Sequence, residues 1–335
     1  MKKIQIINGI EGDDIPYHLH VLGFDKIQTV KDTFFVSLND HYGLHTDNWL
    51  SKIQAQAGKC SKIVFYDLVN TGDDYHDAFC SFIKNFNHPN KIYLTNNFSK
   101  KFALTNVQIV RWDFMWNRVK LYYTGAQELT GAFADPLLHH YAGKEKYKLN
   151  SIKFDSTREK TFLNLCGRGY GYRNILYEFL EQYKTIGYRS MRSAGIHLEK
   201  IPAVGAYVPV PNDYYDNSYI SIYVESNCVE PELIHITEKT FEPLIKGHFI
   251  LPFANPGTIK RIQELGFLLP EFIDYSYDTI IDAEQRFNKY TEVIDNIINL
   301  NWPELYKQYQ DLILHNRQQL FKLDYDRSIL GLFDE

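Results

Sequence analysis

The fold class predicted is α/β, with two units each built on a parallel sheet, and three observations predict it. Short runs rich in β-branched and aromatic residues alternate with helical patterns through the first third of the chain. The alternation loosens after Gly125 and restarts near residue 155. A strand–loop–helix–strand stretch then runs from Tyr219 to Pro252, around which the second unit is organised.

In order, strands are expected at Lys3–Ile7, Thr33–Leu38, Lys62–Tyr66, Asn90–Thr95 and Val107–Trp112, with helices over Trp49–Ala57 and Tyr75–Asn85. Gly143-Lys-Glu-Lys-Tyr-Lys148 is polar and reads as a connector. Lys160–Leu165 opens the second unit as a strand. A Gly-rich loop, Cys166-Gly-Arg-Gly-Tyr-Gly-Tyr-Arg173, follows, and a helix over Asn174–Tyr183 sets Ile175, Leu176, Phe179 and Leu180 on one face. Tyr219–Val224 reads as a buried strand and His248–Pro252 as another. Between them Thr237 is the expected N-cap, Glu238 and Lys239 fall in the first helical turn, and Gly247 ends the helix. Further helices are expected from Pro256, over Glu284–Asn299 and over Pro303–Phe321. The domains predicted are 1–150, 151–300 and a helical tail over 301–335.

Composition narrows the class. The chain has 335 residues, 44% hydrophobic and 23% charged, as an ordinary globular protein does. A net charge of -5 argues against a general nucleic-acid coat. Cys60, Cys80, Cys166 and Cys228 are scattered without a C-x-x-C pair, which gives neither a metal framework nor a disulfide framework and fits reduced thiols. The N-terminus enters a strand without a signal-peptide core, and no apolar run approaches the ~18 residues of a membrane span. A cytoplasmic location is expected. Aromatics reach 15%, with 25 Tyr and 22 Phe, which fits either sugar-stacking surfaces or simple bias.

The candidate chemistry sits at strand ends. In an open α/β sheet, ligands bind beyond the carboxyl ends of the strands, where helix N-termini present free N–H groups. Glu225, Ser226 and Asn227 end one strand there. Glu238 can accept hydrogen bonds from ribose hydroxyls, or serve only as a first-turn acid; Lys239 can neutralise a diphosphate, or be solvated. Arg168 and Arg173 flank the start of the helix after the Gly-rich loop, and an arginine fork suits diphosphate oxygens. The glycines of that loop match neither G-x-G-x-x-G nor the P-loop, which excludes a dinucleotide dehydrogenase and a P-loop kinase. Asp324-Tyr-Asp326 has the D-x-D form of metal-dependent glycosyltransferases, but it lies past the last predicted helix, and the histidines lack metal spacing. No metal or other cofactor is expected.

The restart near residue 155 and the Thr237-Glu238-Lys239 element together resemble a GT-B glycosyltransferase, most closely the α1,3-fucosyltransferase family. That family's donor domain carries Phe-Glu-Asn at a strand end, a short loop, then Thr-Glu-Lys on a helix. Here these read Val224-Glu225-Ser226 and Thr237-Glu238-Lys239. The family's helix-opening arginine is matched in Tyr172-Arg173-Asn174-Ile-Leu-Tyr-Glu-Phe-Leu180. The resemblance covers roughly residues 160 to 265. It implies two Rossmann-like domains facing a cleft: an acceptor domain over 1–150, a donor domain over 151–300, and C-terminal helices packing back across. It implies that Glu238 holds the donor ribose, that Lys239 and Arg173 hold the diphosphate, and that Glu225 braces the site, with Arg168, Ser226 and Thr237 alongside. The reaction implied is an inverting, metal-independent hexosyl or pentosyl transfer from a nucleotide-diphosphate sugar to an acceptor hydroxyl, the acceptor being a glycan.

The N-terminal half departs from the family. Its catalytic glutamate belongs to a Thr-Gly-Glu-Asn loop, and the nearest segment here, Leu94-Thr-Asn-Asn97, has no glutamate. The base must be another carboxylate or histidine. Asp13 and Asp14 rank first, ahead of Asp67 and Asp113, because the first βα loop faces the cleft in this architecture. Three other readings remain open. One is a phage-type enzyme glycosylating hydroxylated bases in DNA, with Lys91, Lys100, Lys101, Arg111, Arg118 and Lys120 tracking the backbone. The second is a non-catalytic nucleotide-sugar or glycan-binding protein, and the third a nucleotide-sugar epimerase of the same fold.

Overall fold

The computed structural model describes residues 5–7, 33–37, 54–55, 57–58, 60–67, 81–95, 106–111, 149–198 and 210–322. Contacts divide the chain into two units. One comprises Met1–Asn117, Leu129–Asp135 and Asp324–Glu335, the other Arg118–Glu128 and Pro136–Leu323.

The first unit carries β1 (Gln5–Ile7), β2 (Thr33–Ser37), β3 (Lys62–Asp67), β4 (Lys91–Thr95) and β5 (Val107–Arg111), parallel throughout and side by side in chain order. All five expected strands are present. In β3 the consecutive residues Ile63, Val64 and Phe65 are all buried, as happens only where both sheet faces are covered. Phe65 meets Phe82 and Phe86 edge-on, with ring centroids 5.7 and 5.3 Å away. The described part of the helix expected over 75–85 is its end, 81–85.

Lys91 corrects one expectation. Its side chain turns inward, and Nζ donates to the carbonyls of Ile83 at 3.0 Å, Lys84 at 3.3 Å and Phe86 at 2.9 Å. It closes the C-terminal end of the preceding helix, where a cation is favoured. Burial lowers its pKa, and the side chain cannot follow a phosphate backbone. Lys100, Lys101, Arg118, Lys120 and the side chain of Arg111 lie outside the described residues, as do Asp13, Asp14, Asp113, Cys80 and Asp324-Tyr-Asp326.

The second unit opens with β6 (Phe162–Cys166), then α1 (Tyr172–Phe179), which tightens to 3-10 turns over Leu180–Ile186, then β7 (Gly187–Met191). After α2 (Asn212–Asp216) come β8 (Ile220–Val224), α3 (Glu238–Lys246), β9 (Phe249–Phe253), α4 (Thr258–Glu264), α5 (Ala283–Ile297), α6 (Trp302–Gln308) and α7 (Gln310–Lys322). The four strands are parallel in the order β7-β6-β8-β9.

Two differences from expectation have physical causes. β7 was not foreseen, because Gly-Tyr-Arg-Ser-Met carries no apolar alternation. It is an edge strand that tolerates polar residues, and Gly187 lets it lie against β6: a Cβ there would sit 2.1 Å from the ring of fully buried Phe162. The helix expected over 303–321 is two, α6 and α7, parted at Tyr309. That residue closes α6 with its N–H on the Leu305 carbonyl while its ring packs on Phe272, centroids 5.1 Å apart.

Strand β8 is buried, as its sequence predicts, despite its polar positions. Ser221 and Tyr223 alternate with Ile220, Ile222 and Val224, yet all five are buried. Both faces are covered, and the polar tips find partners: Ser221 Oγ donates to His248 Nδ1 at 2.9 Å, and Tyr223 Oη pairs with Thr240 Oγ1 at 2.7 Å. Part of the aromatic excess lies in this core. Tyr219, Tyr277, Tyr290, Tyr306, Phe249, Phe253, Phe287 and Trp302 are buried in one cluster. The Tyr275 and Tyr277 hydroxyls donate to the carbonyls of Ile250 (2.9 Å) and Pro252 (2.8 Å) on edge strand β9, blunting an edge that could otherwise pair with another chain. Among the described residues no helix is long and apolar enough to cross a membrane.

Asp278 gives this unit a pH dependence. Its carboxylate accepts from the Gly257 N–H at 3.1 Å, at the start of α4. Burial pushes its pKa up to about 6, although the N–H groups of Ile259, Lys260 and Gly257 and the charge of Arg286 pull it down. The folded state therefore holds a proton that the unfolded chain gives up near pH 4. The resulting stabilisation, on the order of 2–3 kcal/mol, is complete below pH 4 and disappears as pH rises through 6. Urea unfolding of Asp278→Asn should lack this step, and the difference between wild type and variant should change over that window. A constant difference would contradict the assignment.

Candidate functional site

The chain makes a crevice where its strand order reverses. From β6 the chain crosses to β7 on one side, then returns to β8 on the other, so β6 and β8 flank a topological switch point. Their ladder is short: Phe162 pairs with Ile220 and Leu163 with Ser221, and no later residues pair. Beyond that the strands part, and Asn164 spans the gap with its Nδ2 donating to the Ile222 carbonyl at 2.8 Å. A small pocket opens there. Asn164, Leu165 and Cys166 of β6 form one wall, Arg173 and Leu176 of α1 another, and Val224 and Lys239 close it.

Two cations meet at this place. Arg173 lies in the first turn of α1 and is largely buried. Its Nη1 donates to the Arg168 carbonyl at 3.4 Å, its Nη2 to Ser226 Oγ at 3.3 Å, and the guanidinium stacks on the Tyr170 ring, 4.6 Å from the centroid. Tyr170 in turn donates its hydroxyl to the Ser226 carbonyl at 3.2 Å. Lys239 comes from the opposite wall. Its ammonium donates to Ser226 Oγ at 3.2 Å, Thr237 Oγ1 at 3.1 Å and Glu238 Oε1 at 3.0 Å. Two positive groups from different elements thus converge on one neutral oxygen, Ser226 Oγ.

Beneath them, Glu225 holds the assembly together. It is fully buried and directly follows β8. Its Oε1 accepts from the Thr237 N–H at 3.1 Å and Thr240 Oγ1 at 2.8 Å; its Oε2 accepts from Thr237 Oγ1 at 2.6 Å and the Ser226 N–H at 3.3 Å. Because Thr237 Oγ1 donates to the carboxylate, its lone pairs face the Lys239 N–H at 3.3 Å and the Lys239 ammonium. The N-cap hydroxyl therefore relays the buried negative charge to the lysine.

The loop between β8 and α3 is tied from below. Arg286 Nη2 donates to the Cys228 carbonyl at 2.6 Å while Nη1 reaches the carbonyls of Ile280 (2.6 Å) and Ile281 (2.9 Å). Asn255 Nδ2 donates to the Leu233 carbonyl at 2.6 Å and to Asn227 Oδ1 at 3.2 Å. These groups keep Ser226 and Thr237 in place although ten residues lie between them.

Of the residues predicted for the site, Arg173, Glu225, Ser226, Thr237, Glu238 and Lys239 come together here. Arg168 sits on the same loop, but its side chain is exposed and its contribution is its carbonyl, which accepts from Cys166 Sγ at 3.2 Å and from Arg173. Sequence reasoning missed Asn164, Tyr170 and Thr240. A signal existed for the first: an amide inside the apolar run Phe-Leu-Asn-Leu must have a partner if the strand is buried.

The neighbouring titratable groups are kept quiet. Burial pushes the Cys166 thiol up, against the pull of Arg173 and Lys239, and takes the Cys228 thiol to about 11. Burial lowers His235 to about 4, with Lys239 adding to the effect and Glu225 opposing it. Neither a thiolate nor an imidazolium is present at neutral pH. The cationic groups of the crevice are Arg173 and Lys239, donors of the kind that suit an anion.

No protein-family model matches the chain, and no curated protein matches it in sequence. Among solved structures it is similar to a crystal structure of an α1,3-fucosyltransferase, with 12% identity and a TM-score of 0.37, over 78% of this chain and 65% of that one. It is also similar to the crystal structure of a GtfA/B complex, with 8% identity and a TM-score of 0.39, over 95% of this chain and 60% of that one. The chain thus spans less than two thirds of either. At such scores the functional reading rests on the site itself.

Proposed function

We propose that the chain is a glycosyltransferase of the GT-B type whose second unit binds a nucleotide-diphosphate sugar at the crevice between β6 and β8. The observation that carries this reading is the convergence of Arg173 and Lys239 on Ser226 Oγ at a switch point, the place where open α/β sheets take phosphorylated ligands. A diphosphate oxygen entering there exchanges a neutral partner for an anionic one, so that each cation's N–H donates to an opposite charge. Glu238, beside the lysine and partly exposed, accepts the ribose hydroxyls.

In this reading residues 1–150 take the acceptor and 151–300 the donor. A carboxylate of the first unit, Asp13 or Asp14, removes the proton of an acceptor hydroxyl. That oxygen attacks the anomeric carbon from the face opposite the diphosphate and inverts it. Arg173 and Lys239 stabilise the departing diphosphate, a task that fixed cations perform without a metal. A glycan hydroxyl is the acceptor in this reading. The DNA alternative loses Lys91 from its basic set.

A thermal-shift screen against GDP-, UDP-, CMP- and dTDP-sugars tests the reading. A ligand at ~100 times its dissociation constant adds ~2.7 kcal/mol, enough to read as a clear rise in melting temperature. A rise with one nucleotide family is expected. No rise with any of them, for a folded chain, would overturn the reading. Binding without hydrolysis or transfer would instead make this a binding protein.

A further inference from the structure

Two buried polar atoms on the walls of the crevice lack hydrogen-bond partners among the described residues, and their roles are opposite. Arg173 Nε is a donor, and Asn164 Oδ1 is an acceptor. Asn164 is 3% exposed and Arg173 9%. The orientation of the Asn164 amide follows from its partner: the Ile222 carbonyl can only accept, so the NH2 faces it and the oxygen is left over. A lone buried carbonyl of this kind is costly, and in a crevice it calls for a donor from outside the chain.

A fully ionised diphosphate can satisfy Arg173 and Lys239 but not Asn164, because phosphate oxygens only accept. Asn164 Oδ1 requires an O–H or N–H held close to the anion. We infer that Asn164 is a specificity-determining residue whose Oδ1 accepts a hydroxyl of the sugar carried by the diphosphate. The crevice then reads the nucleotide-sugar conjugate and not the bare nucleotide. The strand separation after Leu163 and Ser221 makes room for this contact, since a continued ladder would bring β8 against Asn164. The inference rests on the donor-site reading above and adds what the site distinguishes.

Calorimetric titration of the full chain tests it, with GDP, UDP and dTDP and with their hexosyl conjugates. Wild type is expected to favour one conjugate over its bare nucleotide by about tenfold, the worth of one hydrogen bond lost from a buried polar site. Asn164→Ala should abolish that preference, the conjugate losing about tenfold more affinity than the bare nucleotide does. Lys239→Ala should weaken both ligands together. Equal weakening of both by Asn164→Ala, or a preference that survives it, overturns the inference and leaves the donor-site reading standing. Binding of none of these by wild type overturns both. If Asn164→Ala fails to give a cooperative melt, Asn164→Leu, which refills the space without an acceptor, carries the same comparison.

Discussion

Replacing Lys239 or Arg173 by alanine is expected to lower affinity for a nucleoside diphosphate by about 30- to 150-fold each, the roughly 2–3 kcal/mol of a hydrogen bond to a charged group. The two side chains approach the same oxygen from different elements, Arg173 from α1 and Lys239 from α3, and both are shielded enough that water does not replace them well. The double variant should lose less than the product of the single losses, because the groups share one anion and couple. Arg173→Lys should not restore binding, since an ammonium cannot keep both Ser226 Oγ and the Arg168 carbonyl while presenting a fork to a phosphate. Arg168→Ala serves as the control: its guanidinium is exposed, and affinity should stay within about threefold of wild type. Titration of each variant, with a urea melt to confirm folding, decides the matter. Wild-type affinity in Lys239→Ala would remove the crevice as the anion site.

The second large effect is on stability. Glu225→Gln should destabilise the second unit by about 2–4 kcal/mol, although it changes one atom. Each carboxylate oxygen accepts from one backbone N–H and one threonine hydroxyl: Oε1 from Thr237 N and Thr240 Oγ1, Oε2 from Ser226 N and Thr237 Oγ1. An amide has only one acceptor, so either orientation turns an NH2 toward a backbone N–H that has nowhere else to go. Rotating a hydroxyl does not remove the conflict, because the Thr237 and Ser226 N–H groups stay aimed at the two oxygens. Thr240 Oγ1 already faces the Tyr223 hydroxyl, and Thr237 Oγ1 the ammonium of Lys239. Nucleotide affinity should fall as well, because the relay that orients Lys239 is broken. Glu238→Gln is the contrast: that carboxylate is partly exposed, forms an ion pair with its neighbour, and should cost less than about 1 kcal/mol of stability. A urea midpoint for Glu225→Gln equal to that of Glu238→Gln would show that the buried network does not hold the site.

Much of this was legible in the chain because it depends on local rules. The five strands of the first unit announce themselves as apolar, β-branched runs. The frame of α3 follows from Thr237 as an N-cap, whose side chain accepts from the Lys239 N–H, and from Gly247, whose φ of 86° is a conformation that glycine adopts without strain. Acid and base in the first turn of a helix after a buried strand place Glu238 and Lys239 at the ligand end of the sheet, whatever packs around them. Arg173 follows by the same logic from the helix that the Gly-rich loop opens.

What only the tertiary structure decided is which of these groups meet, and at what depth. Nothing near Arg173 in the sequence says that it shares Ser226 with a lysine 66 positions later; the parallel crossover through β7 and β8 brings them together. β7 itself was invisible, because an edge strand is specified by its neighbour and by the space Gly187 leaves for Phe162, not by its own pattern. Lys91 read as a surface charge, and only packing shows it turned inward onto three carbonyls. Glu225 read as a plausible brace, but a carboxylate is worth burying only if enough donors surround it, and those come from residues 1 to 15 positions away. Local propensity sets where helices and strands begin and end; the satisfaction of buried polar groups is a property of the whole packed unit, and at this crevice it is what turns the carboxyl end of a sheet into a site.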